Sequence, residues 1–169
     1  CNSEGLKMKN LLKLLLCGLL SVTVLAGCSN DTNTDTPSTV GGMMYQQFTE
    51  VAEGKTALEI AEALATSETL PFMGGALEIE PGFLSGFDNY EVTGFSKGAM
   101  FAPMMGTIPF VGYIFELEEG ADVEAFKTSL KDNANLRWNI CTEAEEMTVE
   151  NEGNMVFFLM SPTEFETEE

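Results

Sequence analysis

Carboxylates are the only abundant side chains in this sequence that could do chemistry. The 169 residues include 27 Asp and Glu but no histidine. The absence of histidine excludes Ser-His-Asp and Cys-His catalysis and histidine metal sites. Two chemistries stay open: oxygen ligation of a hard cation such as Ca²⁺, and acid-base hydrolysis by two carboxyl groups in unlike environments.

The densest group of carboxylates surrounds the end of one predicted strand. Glu116 and Glu118 share a strand face, and Glu119, Asp122 and Glu124 follow them. Their spacing matches no known calcium-binding loop. Without information on burial, no two of these carboxyl groups stand out as an acid and a base. We therefore predict no metal ligand, no cofactor and no catalytic residue.

The stretch KLLLCGLLSVTVLAGCSN, residues 13–30, has the features of a targeting signal. Residues 14–27 are mostly apolar but too few to cross a hydrocarbon core about 30 Å thick, which takes about 20 helical residues. Basic residues precede them and small residues follow, which is the order of a secretory signal peptide. Its end, LAGC, resembles the lipobox of bacterial lipoproteins. This resemblance implies cleavage before Cys28, acylation of the Cys28 thiol, and a lipid anchor on the extracytoplasmic face of the cell membrane.

Processing at Cys28 would divide the chain into three parts. We expect residues 1–27 to hold a short upstream stretch before a natural start at Met8, and then the signal peptide. Residues 28–42 are mostly polar residues with short side chains, which is the composition of a flexible tether, and this tether would be lipidated at Cys28. Residues 43–169 are enough for a single domain with its own core, ending in an acidic tail.

The mature chain would be strongly acidic. From Cys28 onward it has five basic and 26 acidic residues, a formal net charge of −21. Such a surface repels nucleic acid and anionic lipid headgroups, so nucleic acid is excluded as a partner. Cys141 would be the only free thiol, which excludes an internal disulfide. With Ile140 beside it and no histidine to activate it, Cys141 is predicted to be a small buried residue.

Two helices are predicted from their caps and apolar spacing. Thr56 and Glu59 form a capping box at the start of a helix over residues 56–65. Gly120 turns the chain after a strand, and Asp122 can cap a second helix. The apolar stripe of that second helix comprises Val123, Phe126 and Leu130.

Three strands are predicted from alternation and turn signals. Apolar side chains alternate along residues 110–117, so one face is expected to be fully buried and the other partly. Residues 147–160 have the pattern of two strands joined by a turn at 151–154. The order of strand, helix, strand and strand predicts an α+β fold, a small antiparallel or mixed sheet with helices packed on one face.

The middle of the chain, residues 71–110, has an unusual composition. It holds 6 of the 12 phenylalanines, 7 of the 16 glycines and 4 of the 10 methionines, without a sustained period. Two interpretations stay open: the segment forms binding loops with adaptable apolar contact area, or the same side chains complete the core. Exposure separates the two, and the candidate binding surface consists of Phe83, Phe87, Phe101, Met104 and Met105.

Two segments carry a resemblance to a known family. APMMGTIPFVGYIFELEEGADVEAFKTSLK, residues 102–131, and ENEGNMVFFLMS, residues 150–161, resemble a family of small Gram-positive bacterial lipoproteins built on a domain of unknown function. This chain departs from the family by a shorter helix with little basic character and by lacking a final helix. The resemblance implies the fold and the location, and it implies no activity.

These observations together predict a cell-envelope lipoprotein rather than an enzyme. We expect a non-enzymatic binding or interaction module that meets the membrane through its lipid anchor and binds a protein or a small molecule. The alternative is a small envelope hydrolase that uses paired carboxylates. A pair of carboxyl groups facing each other in a concave cleft would favour the alternative.

Overall fold

The computed structural model describes residues 37–105 and 107–166 of the chain. Cys28, the signal peptide and most of the predicted tether lie outside the described residues. Within them, no helix has the length and apolar character needed to cross a membrane. The helices are α1 (Val40–Val51), α2 (Ala57–Ala65) and α3 (Val123–Asn133), and the strands are β1 (Gly74–Ile79), β2 (Gly82–Phe83), β3 (Glu91–Val92), β4 (Lys97–Pro103), β5 (Val111–Glu116), β6 (Glu146–Glu152) and β7 (Met155–Ser161).

Five strands form one antiparallel sheet in the order β1-β4-β5-β7-β6. Strands β2 and β3 form a separate two-stranded ladder. Because β5 lies at the centre, it is paired on both sides, with β4 and with β7. The outer strands β1 and β6 each pair with one neighbour in the described part of the chain. The predicted α+β class is confirmed, and of the two sheet types left open, antiparallel or mixed, the sheet is antiparallel.

Both faces of the sheet are covered by helices. On one face Ile114 and Phe157 pack in a core with α1 and α2, and on the other Tyr113 and Phe158 pack in a core that includes Leu130 of α3. The expectation of helices on one face therefore holds for α1 and α2, whereas α3 lies on the opposite face. The physical reason is that β5 and β7 are apolar on both faces, so each face needs a cover.

Helix α1 begins inside the segment that the sequence analysis assigned to the tether. Val40 is buried in the core, so residues 40–42 belong to the domain. Thr39 is the N-cap, and its side-chain oxygen accepts a hydrogen bond from Gly42 N. The carboxylate of Glu146, from β6, accepts a second bond from Gly41 N at 2.6 Å. This cap joins residues 105 apart, and two glycines in the first turn weaken the local helix signal.

The locally encoded elements agree with the sequence. In α2 both hydrogen bonds of the capping box between Thr56 and Glu59 are present. In α3 the carboxylate of Asp122 accepts a bond from Ala125 N at 2.9 Å. Strands β6 and β7 form the predicted hairpin, with Gly153 at a positive φ of 58° in its turn.

The prediction that Cys141 is buried is wrong. Its thiol is exposed, in an irregular segment between α3 and β6. Ile140, the apolar neighbour on which the prediction rested, is itself 97% exposed. Ala144 is the buried residue of this segment, because its N–H bonds to Leu136 O and draws it against the sheet.

Candidate binding surface

The structure divides the five candidate residues of the middle segment into two groups. Phe101 and Phe87 are buried, on opposite faces of the sheet. Phe83, Met104 and Met105 are 70%, 65% and 86% exposed. Two phenylalanines of the segment therefore complete the core, while the other three candidate side chains face solvent.

The exposed Met104 belongs to a row of side chains on the β1-β4 ladder. Met104 N donates a hydrogen bond to Met73 O at 3.0 Å, which extends the ladder by one pair beyond Gly74 and Pro103. Two residues after Met73, Gly75 lies opposite Ala102, and two residues after Gly75, Leu77 lies opposite Met100. Opposed residues of antiparallel strands, and every second residue along a strand, share one face. The row comprises Met73, Leu77, Met100 and Met104, and we name it the methionine stripe.

The methionine stripe is largely open to solvent. Met73 is 77% exposed and Leu77 is 51% exposed, while Met100 is half-buried. Met104 Cγ lies 3.1 Å from the point where a side chain on Gly75 would begin. The Met104 side chain thus lies over the bare backbone of Gly75 and closes the gap between Met73 and Leu77.

The stripe is exposed because the cover on its face of the sheet reaches β1 only at Ile79, the last residue of that strand. Helix α3 and the loop residues Phe87 and Phe95 pack over the middle of that face. Buried Tyr113 donates a hydrogen bond to Ser85 O at 2.9 Å and holds this loop in place. Burial also raises the Tyr113 pKa, which the hydrogen bond to Ser85 opposes. At the edge of the cover, a groove of about 170 Å³ opens between Met100 and Trp138.

Two larger depressions are lined by carboxylates. One, of about 520 Å³, includes Glu53, Glu116 and Glu152 together with Lys55. The other, of about 510 Å³, is lined by apolar and acidic side chains. Its lining includes Ile108, Phe165, Glu143, Glu145, Glu164 and Glu166.

The carboxylates of these depressions lack the environment of a general acid. No Asp or Glu of the described residues is buried, whereas a catalytic acid needs a desolvated carboxyl group with a raised pKa. Hydrogen bonds from the backbone N–H and the hydroxyl of Thr163 instead lower the pKa of Glu145. Hydrogen bonds from the backbone N–H and the hydroxyl of Thr56 likewise lower the pKa of Glu59.

The acidic group around Glu116 is not gathered into one site. Asp122 caps α3, and Glu124 forms an ion pair with Lys127 at 3.1 Å. Glu116 instead lines the first depression, with Glu53 and Glu152. In residues 37–105 and 107–166, no group of three or more Asp, Glu or Cys side chains is arranged to hold a metal ion.

The chain matches no protein-family model, no curated protein and no solved structure.

Sequence reasoning missed Met73, Leu77 and Met100 as part of the surface. A signal was present, because Met73, Gly75, Leu77 and Ile79 occupy alternate positions. Gly75, the second of these residues, interrupts the apolar row, so the alternation is not apparent in the sequence. Tertiary packing restores the row by placing Met104 over Gly75.

Proposed function

We propose that this chain is a lipid-anchored, non-enzymatic binding module of the bacterial cell envelope. The methionine stripe, an exposed apolar row on the outermost ladder of the sheet, is the observation that carries the proposal. Contiguous exposed apolar side chains are unfavourable in water and mark interaction sites. Methionine suits this role, since its flexible, polarisable side chain adapts to the shape of a partner.

The anchor follows from the lipobox at Cys28. The apolar run that precedes Cys28 is too short to span a bilayer. A diacylglyceryl group supplies two acyl chains, which hold a protein stably where one chain would be marginal. The domain would then be tethered outside the cytoplasm, where its acidic surface is repelled by anionic headgroups and stays available to partners.

The alternative, a small envelope hydrolase with paired carboxylates, has less support. The described carboxylates are solvated, and the two whose pKa clearly departs from the ordinary value, Glu59 and Glu145, are shifted downward. A hydrolase needs one carboxyl group that keeps its proton near neutral pH.

Site-directed crosslinking in intact cells tests the binding function. A photo-crosslinking amino acid at Met104 is expected to form a discrete adduct, whereas the same group at Asp132, exposed on α3, is not. Leu77→Ser, which makes the neighbouring stripe position polar, should abolish the Met104 adduct while the protein level stays unchanged. Equal adducts from Met104 and Asp132, or an adduct indifferent to Leu77→Ser, would reject the stripe as a binding surface.

Mass spectrometry of the membrane fraction tests the anchor. The mature N-terminus is expected to be Cys28 carrying a diacylglyceryl group. In Cys28→Ala the precursor should stay uncleaved by the lipoprotein peptidase. A different first residue, or an unmodified thiol at Cys28, would refute the anchor and leave the binding function to be judged by the crosslinks.

A further inference from the structure

We propose that the free edge of β1 accepts an extended, basic segment of another protein as a sixth strand of the sheet. The inference rests on the proposed binding function and specifies how the partner is held. In this mode of recognition, main-chain hydrogen bonds supply affinity, and alternate side chains supply specificity.

The backbone of β1 presents unpaired groups on the side away from β4. Met104 N bonds to Met73 O, so the odd-numbered residues of β1 direct their N–H and C=O groups toward β4. The even-numbered Ala76 and Glu78 therefore direct theirs outward. Neither makes a backbone or side-chain hydrogen bond on that side to any residue in the described part of the chain. Gly74, the third even residue, lies against the Ala65 carbonyl at the end of α2.

The two outer strands of the sheet differ in their protection. Natural edge strands avoid unwanted pairing through charged side chains, proline, bulges or a cover. Strand β6, at the opposite edge, carries Glu146, Glu150 and Glu152. It is also flanked by α1 and α3, and buried Lys127 reaches across from α3 to Glu150. Within the described ranges, strand β1 has a helix, α2, on one face only. Its sequence, GGALEI, has one charge, no proline and no bulge in its register with β4.

The side chains beside the free edge define what an added strand would carry. On one face of the extended sheet, every second residue of the added strand would lie next to Leu77, the member of the methionine stripe that lies in β1. On the other face, its residues would lie next to Ala76 and the exposed Glu78. The occupant is thus expected to alternate apolar residues on the stripe side with polar residues on the other side.

The charge of this region selects a basic occupant. Between Lys55 and Lys97 the chain has seven acidic residues and no basic one. Glu78 lies in β1, and Glu80 follows it directly. A cationic segment is attracted to such a surface, whereas a second copy of this acidic chain is repelled.

Peptide binding to the purified full chain in detergent tests the proposal. The probe is a fluorescent ten-residue peptide of alternating Val and Lys, measured by anisotropy. Two control peptides have Glu in place of Lys, or N-methyl groups on the alternate amides that would pair with β1. The Val-Lys peptide should bind more weakly as salt concentration rises, and both controls should bind at least about tenfold more weakly.

A matched pair of variants separates backbone pairing from charge. Glu78→Gln keeps the outward N–H and removes the charge, while Glu78→Pro removes both, and the exposed edge tolerates proline because this N–H makes no ladder bond. We expect a small loss of affinity for Glu78→Gln and at least a further tenfold loss for Glu78→Pro. Leu77→Ser, which leaves the backbone intact, is a second variant in case Glu78→Pro misfolds, and it should also weaken binding.

Amide hydrogen exchange measures which backbone N–H groups of β1 become protected when the peptide binds. Peptide addition should slow exchange at Ala76 and Glu78, whose N–H groups point outward, and leave Leu77, already bonded to β4, unchanged. Peptide binding without this alternation would overturn strand addition. Failure of the peptide to bind, with the Met104 crosslinks intact, would also overturn it while leaving the binding function in place. Self-association of the chain that Glu78→Pro abolishes would identify a second copy as the occupant and overturn the basic partner.

Discussion

Alanine at Gly112 should destabilise the domain, although alanine normally favours a strand over glycine. Gly112 lies in the central strand β5, directly opposite Phe101. A Cβ atom there would overlap three atoms of the Phe101 ring, the farthest of them 2.5 Å away. The ring has little freedom to move, because Phe110 and Phe157 pack against it with centroids 5.8 and 6.3 Å away.

The magnitude follows from two opposing effects. Replacing glycine by alanine within a strand gains about 0.5 to 1 kcal/mol of backbone entropy. Overpacking a filled core costs about 1 to 3 kcal/mol, and here the overlap is with a rigid ring held on both sides. With the cost taken at the upper end of its range for this reason, we expect Gly112→Ala to lower the free energy of unfolding by about 2 kcal/mol.

Urea unfolding followed by circular dichroism measures the effect, with Gly75→Ala as the matched control. A Cβ at Gly75 meets only Met104, whose exposed, flexible side chain can move aside. Gly75→Ala should thus be neutral or slightly stabilising. Adding Phe101→Leu to Gly112→Ala should recover at least about 1 kcal/mol relative to the sum of the single changes. If Gly112→Ala is neutral, or the two changes are additive, the packing argument for this core fails.

Two further predictions concern single side chains. Burial raises the Tyr113 pKa above its ordinary value of 10.0, so the Tyr113 hydroxyl ionises at lower pH in the unfolded chain than in the folded one. The resulting contribution to the free energy of unfolding is fully present below about pH 10 and declines as the pH rises further. In alkaline urea titrations, Tyr113→Phe should flatten this decline, by up to about 1.4 kcal/mol per pH unit, and a slope equal to that of the wild type would contradict the assignment. Cys141 is exposed, so a maleimide should label it in the native protein as fast as in urea. Labelling that requires denaturant would show that the thiol is covered.

Elements encoded by neighbouring residues were predictable from the sequence. The capping box of α2 needs only Thr56 and Glu59, three residues apart, and the start of α3 needs only Asp122 and the apolar stripe behind it. The β6-β7 hairpin depends on one turn and on the apolar residues of β7. The capping contacts lie within a few residues, and the residues paired in the hairpin are at most 15 apart, so local propensity and final structure agree.

Strands β1 and β4 and the start of α1 were not predictable in this way. Two glycines lie in β1, two in the first turn of α1 and one in β4. The partners of these elements are distant, because β4 pairs with β5 through Phe101 and Gly112, and α1 is capped by Glu146 from β6. Glycine has weak local preferences, so these contacts decide the conformation.

The sequence by itself determined the α+β class, the capped starts of α2 and α3 and the large acidic excess, because these follow from short-range spacing and composition. Only the tertiary structure decided which apolar residues of the middle segment face solvent. Phe83 and Phe87 lie four residues apart in similar sequence, yet one is exposed and the other buried. Burial depends on strand order and on where the cover of each face ends, and both are set by pairings between residues distant in the chain. For the same reason, only the fold placed β1 at the edge of the sheet formed by the described residues, with the methionine stripe on one of its faces.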